Sequence, residues 1–267
     1  MNDRRGLVPL LVQTVLILMA LSLGFSVTPA SAQVVPAEGP IVEVETEYVS
    51  AVIPVIGHVA GFEGVEWRSD VAVRNDLSYP VEIFLTVPGI PGEPFIMQTL
   101  APGESVAFTD ASATTFGTTG YLSPLVVQTP GKQSVSVLAT AYGIKDGKVT
   151  RTQIIPAVYG TTGPGTRILR GLSFGNEYRT NIGLGNLGET PVTVSLALQR
   201  VAGRNVALTT VLLPPHSLVH ESLQKFFPLV TEGSDFSVVF DSPHPGSYAY
   251  ASVILNSTND GTFVRGF

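Results

Sequence analysis

The chain has 267 residues, a formal net charge of −6, 20 prolines, 27 glycines and no cysteine, so disulfide frameworks, cysteine nucleophiles and thiolate metal sites are excluded. Only four lysines and a mildly acidic balance exclude a nucleic-acid or anionic-membrane surface, both of which need clustered basic residues. Charged residues are 13 % of the chain, about half the usual share, so Thr, Ser, Asn, Gln and Gly must cover most of the surface.

Arg4 and Arg5 precede an apolar run from Leu7 to Val27, and Pro29 precedes the small-residue triplet Ala30-Ser31-Ala32. This pattern predicts a signal peptide over 1–32, cleaved before Gln33, and an extracytoplasmic protein (periplasmic, surface-bound or secreted) with no stable membrane span after cleavage. Residues 33–46, opening Gln-Val-Val-Pro-Ala-Glu-Gly-Pro, predict an N-terminal tether. From Trp67 to Asn75 the side chains alternate, with Trp67, Ser69, Val71 and Val73 on the core face and Arg68, Asp70, Ala72 and Arg74 on the other. Asn75-Asp76-Leu77-Ser78-Tyr79-Pro80 supplies a turn, and a strand resumes over Val81–Val87. Further strands are expected at Phe95–Leu100, Ser105–Phe108, Leu122–Gln128, Ser134–Tyr142 and Val149–Val158. Pro and Gly leave room only for short helical turns, at Asp110–Phe116 and Glu221–Phe227.

The pattern occurs twice. Gly64, Glu66, Arg68, Asn75, Pro80, Val81 and Leu85 recur at an offset of 111 residues as Gly175, Glu177, Arg179, Asn186, Pro191, Val192 and Leu196. Conservative pairs, such as Trp67 with Tyr178 and Asp70 with Asn181, fill the gaps. The turn Ala101-Pro102-Gly103-Glu104 is echoed by Pro214-Pro215-His216, and the hairpin turn Lys145-Asp146-Gly147-Lys148 by Asn259-Asp260-Gly261. An internal duplication of an all-β unit follows, with repeats over 47–160 and 161–267, each long enough for a sandwich of short strands. Val52-Ile53-Pro54-Val55 also echoes Ile154-Ile155-Pro156-Ala157, which raises a junction strand shared by both repeats and close packing from Ile154 to Gly165.

Val71–Asn75 followed by Pro80-Val81, and Ile182–Asn186 followed by Pro191-Val192, resemble the two-strand signature of bacterial immunoglobulin-like domains, including CARDB-type adhesion, Hydin-type and pilus-chaperone domains. The resemblance spans about 20 to 25 residues per copy and implies two tandem immunoglobulin-like β-sandwiches without implying a role. Pilus chaperones share the two-domain plan and export signal, but their domains are not close copies of one another, and no basic cleft residue can be carried over.

Motifs with chemistry are few. Gly171-Leu172-Ser173-Phe174-Gly175 matches a nucleophile elbow, but a strand rather than a helix follows Ser173. His216 and His220 would share a helix face, whereas on a strand they lie about 13 Å apart, too far to grip one ion. His58 and His244 read as exposed loop residues, and Asn256–Gly261 reads as a hairpin turn rather than a calcium loop. No catalytic residue, metal site or cofactor is therefore assigned. The repeated polar face of Arg68, Asp70, Arg74, Arg179 and Asn181 is the candidate binding surface, and Trp67 and Tyr178 share parity with the core valines. The expectation is an exported, non-enzymatic binding or surface-structural protein of the adhesion type. Its partners would be envelope or extracellular proteins, polysaccharide, or further copies of the chain. The alternatives are a carbohydrate-binding accessory module, using Tyr48, Tyr79, Tyr121, Tyr159 and Tyr248, and a periplasmic chaperone-like protein.

Overall fold

Period-two alternation dominates the folded chain. In a computed structural model, the structure describes residues 48–61, 64–131, 135–159, 163–200 and 203–266, all of which fall in one compact unit. The predicted signal peptide and tether lie outside the described residues. The first half contributes β1 (Tyr48–Gly57), β2 (Val59–Ala60), β3 (Glu66–Arg74), β4 (Val81–Thr86), β5 (Phe95–Leu100) and β6 (Ser105–Phe108). It continues with β7 (Leu122–Pro130), β8 (Ser136–Lys145), β9 (Lys148–Pro156) and β10 (Val158–Tyr159). The second half contributes β11 (Gly165–Phe174), β12 (Tyr178–Asn186), β13 (Val192–Gln199), β14 (Asn205–Leu213) and β15 (Ser217–Ser222). Its last strands are β16 (Gly233–Ser242), β17 (Ser247–Leu255) and β18 (Gly261–Arg265). Among the described residues helical structure includes a π-type turn at Ala111–Thr115 and a single turn, α1 (Leu223–Phe226), both at the places the sequence allows.

The protein is all-β, with antiparallel pairing throughout the described residues. One sheet runs β10-β1-β7-β4-β5, and the sheet facing it runs β2-β3-β8-β9 with β6 also on β3. The second half has one sheet in the order β11-β16-β13-β14 and another in the order β15-β12-β17-β18. Each pair of sheets meets in its own apolar core: Ile53, Val71, Ile83, Leu125 and Ile155 in the first, Leu172, Ile182, Leu196, Val238 and Phe240 in the second.

Two buried asparagines tie the sandwich ends together. Asn75 Nδ2 donates toward the carbonyls of Tyr79 (2.8 Å), Leu100 (3.0 Å) and Ala101 (3.1 Å), while its Oδ1 accepts from Leu77 N (2.9 Å). Asn186 makes the corresponding set with Thr190, Leu213, Pro214 and Gly188 N. Each asparagine thus satisfies carbonyls of two turns that no ladder reaches, which is why its side chain is buried without penalty. The predicted hairpin turns also form: Asp146 and Gly147 take the positive φ angles of a tight two-residue connection between β8 and β9, and Asn259 takes a positive φ in the longer connection between β17 and β18.

The junction differs from the expectation. Ile154 belongs to β9, which pairs with β8, and its side chain is 61 % exposed. Val158 and Tyr159 turn back onto β1 of the first half, so this segment is not shared, and the Val52–Val55 and Ile154–Ala157 echo joins strands of different sheets. Ile155 of the same segment packs in one cluster with Tyr248 and Tyr250 of the second half, and the halves also meet beyond it. Tyr248 and Tyr250, on β17, leave their own core and bury themselves in the core of the first half, where the Tyr248 hydroxyl donates to the Pro54 carbonyl at 2.8 Å. Among the described residues no helix is long and apolar enough to cross a membrane.

Candidate functional site

The packing of the two halves is made possible by glycine. On β12, Ile182 and Leu184 face the second core while Gly183 and Gly185 face the opposite way, directly beside Tyr250 and Tyr248 across the strand pair. A Cβ on Gly183 would stand 2.0 Å from the Tyr250 ring, and one on Gly185 would stand 2.0 Å from the Tyr248 ring. Both rings therefore lie flat on bare backbone. From there Tyr250 reaches His220, on the far side of Gly183, with a 2.8 Å hydrogen bond between its hydroxyl and Nδ1, and stacks on Phe263 at a centroid distance of 5.1 Å.

Beside these rings the inner surface of β3, β8 and β9 and the outer surface of the sheet carrying β12 and β17 leave a cavity of about 260 Å³. Its apolar wall is Leu122, Ile155, Tyr250 and Phe263, and its polar wall includes Arg68, Arg151, Arg179 and Asn181. No acidic side chain lines it among the described residues. The arginines are held differently. Arg68 is paired with Glu66 (Nε to Oε1, 2.6 Å) and lies 3.6 Å from Asp110, and the hydrogen bond to Glu66 raises its pKa. Arg179 donates to the amide oxygens of Asn256 and Asn259, both at 2.9 Å, and so braces the β17–β18 hairpin. Arg151 is 7 % exposed, lies over the Trp67 ring at 6.0 Å, and its Nη1 is buried with no hydrogen-bond partner. Its cross-strand neighbour is Gly143, where a Cβ would stand 2.8 Å from a Val65 methyl. Burial pushes the pKa of His220 down to about 4, so its imidazole is neutral at pH 7 and adds no charge to the cavity.

The candidate polar face is split by this arrangement. Arg68, Arg179 and Asn181 come together at the cavity although they belong to different halves. Asp70 and Arg74 do not join them. Asp70 accepts the Asp110 amide at 2.7 Å and hydrogen-bonds Tyr142, whose pKa is pushed up to about 12 by burial first and Asp70 second. Arg74 is spent on Asp76 and Ser105 at the far end of β3. Trp67 and Tyr178, expected in the cores, are not there: Trp67 is half-buried at the cavity rim and Tyr178 is 36 % exposed. Arg151 and Gln153 were passed over by sequence reasoning, and His220 was weighed only as half of a metal pair with His216. Their signal was parity, since Arg151 and Gln153 share the core-facing side of β9 with Ile155.

The other motifs resolve into local structure. Ser173 lies inside β11, and its carbonyl accepts the Thr180 hydroxyl at 2.6 Å. His216 and His220 are not brought together: His216 Nδ1 meets Glu93 (2.8 Å) and its Nε2 meets Glu189 (3.0 Å), across the two halves. His58 is not a free loop residue but is bonded to Asp110 at 2.9 Å and to Glu66 at 3.2 Å. Tyr248, one of the aromatics considered for glycan stacking, is buried, while Tyr79, Tyr121 and Tyr159 are exposed. No protein-family model matches the chain, and no curated protein gives a significant match.

Proposed function

We propose that this chain is an exported, non-catalytic binding or surface-structural protein, built as two tandem immunoglobulin-like sandwiches from an internal duplication, that acts through protein–protein contacts in the cell envelope or outside the cell. The observation that carries this reading is at β5 and β14. Each ends its sheet with a single neighbour, which leaves a row of unpaired backbone groups on its outer side. Each also turns large apolar side chains to solvent: Phe95 and Met97 are 70 % and 59 % exposed, Leu208 and Leu212 are 71 % and 64 % exposed. An edge of this kind can accept a strand from a partner, with backbone hydrogen bonds giving affinity and alternate side chains giving selectivity. The duplication is supported by the matching strand orders of the two halves and by the paired hydrogen-bond sets of Asn75 and Asn186.

The test is capture from host envelope extract, with sedimentation of the protein alone as a measure of self-association. Replacing Leu208 and Leu212 by lysine should leave the fold intact and reduce specific protein capture or self-association at least about tenfold, a loss of about 1.4 kcal/mol. Capture unchanged by these substitutions, or capture of polysaccharide alone, would overturn the proposal.

A further inference from the structure

The cavity between the halves carries a charge with no counter-ion among the described residues. Arg151 is 7 % exposed, its Nη1 is buried without a hydrogen-bond partner, and among the described residues its side chain forms no ion pair; its specific contact is the face of Trp67. A guanidinium is protonated at any physiological pH, so it cannot escape burial by losing its proton. Burying it unpaired is costly, and a cation–π contact recovers only part of that cost. The described residues do not supply the missing anion, because none of those lining the cavity is acidic and Glu66 and Asp110 are engaged by Arg68 and His58. Arg151 is among the residues lining this open space, together with Leu122, Ile155, Tyr250 and Phe263.

We propose that this cavity is a binding site for a small organic monocarboxylate with a flat apolar body, the carboxylate pairing with Arg151 and the body resting against Tyr250, Phe263, Leu122 and Ile155. The size and charge of the site select this class. A dry cavity of about 150 Å³ holds benzene, so the 260 Å³ present here accommodates a ring with a short acid-bearing chain. Arg68 is held by Glu66 and Arg179 by the amide oxygens of Asn256 and Asn259, which leaves the Arg151 guanidinium as the group a single carboxylate would meet, whereas a dianion such as phosphate would bring a second charge against the apolar wall. Guanidinium and carboxylate also match in plane and spacing, which allows a two-pronged contact. Because the wall is shared between halves, with Arg151 from β9 and Tyr250 from β17, ligand binding is coupled to the way the halves are packed. This site is separate from the edge strands β5 and β14 and does not depend on the protein-contact role proposed for them.

The experiment is calorimetric titration of the purified protein with phenylacetate, 3-phenylpropionate and hexanoate, each against its neutral amide, and with inorganic phosphate. At least one acid should bind about tenfold or more tightly than its amide, and phosphate should neither bind the cavity nor compete. Arg151→Met, which keeps an unbranched apolar stem without the charge, should bring acid and amide to within about twofold of each other. Equal binding of acid and amide by the unaltered protein overturns the assignment whether or not the variant folds. Absence of binding by every acid, competition by phosphate, or unchanged acid binding by Arg151→Met overturns it too. The Leu208→Lys, Leu212→Lys protein should bind the acid as the unaltered protein does, so failure at the edge strands and failure at the cavity are read separately.

Discussion

Histidine 220 occupies a strand position where side chains alternate between two cores, and its environment decides its charge. The ring is buried against Tyr250, and that desolvation holds its pKa near 4, with Glu221 opposing weakly. In the unfolded chain the same group titrates near about 6.5. Below that value the unfolded state takes up a proton that the folded state refuses, so stability is fully present above pH 6.5 and falls as the pH drops toward 4. The expected loss from this one residue between pH 7 and pH 4 is on the order of 3 kcal/mol. Urea denaturation of the protein and of His220→Gln at both pH values checks it: the difference between them should shrink or reverse in acid, and parallel pH curves would refute the assignment. His216 has the opposite sign, since the Glu93 hydrogen bond first and Glu189 second raise its pKa, and its clamp is present below about pH 6.5 and lost as the pH climbs through the raised value.

Strand β12 shows how an element can be legible in part. Its extent, its alternation and its turn at Asn186 follow from Ile182-Gly183-Leu184-Gly185-Asn186, because Ile and Leu mark one face and the asparagine marks the turn. The glycines were less informative alone, since glycine in a strand signals only that something approaches closely. What approaches is a pair of tyrosines from β17. Replacing Gly183 by Ala should cost about 3 kcal/mol by overpacking against Tyr250. The same change in a Tyr250→Ala background should cost less than about 1 kcal/mol, and a double-mutant cycle by chemical denaturation measures the coupling. Additive effects would show that the ring does not need the bare backbone. Strand β3 was misread at one point for a related reason: Trp67 has core parity, but at its end of the strand the first sandwich opens toward the second, and the ring lies at a cavity rim.

At the scale of the whole molecule, the two sandwiches share a core rather than a linker. Tyr248 and Tyr250 are 5 % and 1 % exposed, and both belong to the apolar cluster of the first half although they reside on a strand of the second. Unfolding one half strips the other of this packing, so scanning calorimetry should show a single cooperative transition. Replacing both tyrosines by alanine should separate it into two transitions, and two transitions in the unaltered protein would refute the shared core. From the sequence alone came the all-β class, the strands between Trp67 and Val158 with their echo in the second repeat, and both short helical turns, because alternation, turn residues and capping asparagines act over a few residues and leave their mark in order along the chain; β1, β2 and β11 carried no such mark. Tertiary structure alone decided which faces meet. The docking of β17 onto the first half, the gathering of Arg68, Arg151 and Arg179 at one cavity and the neutrality of His220 all depend on contacts between residues tens to nearly two hundred positions apart, which local periodicity does not encode.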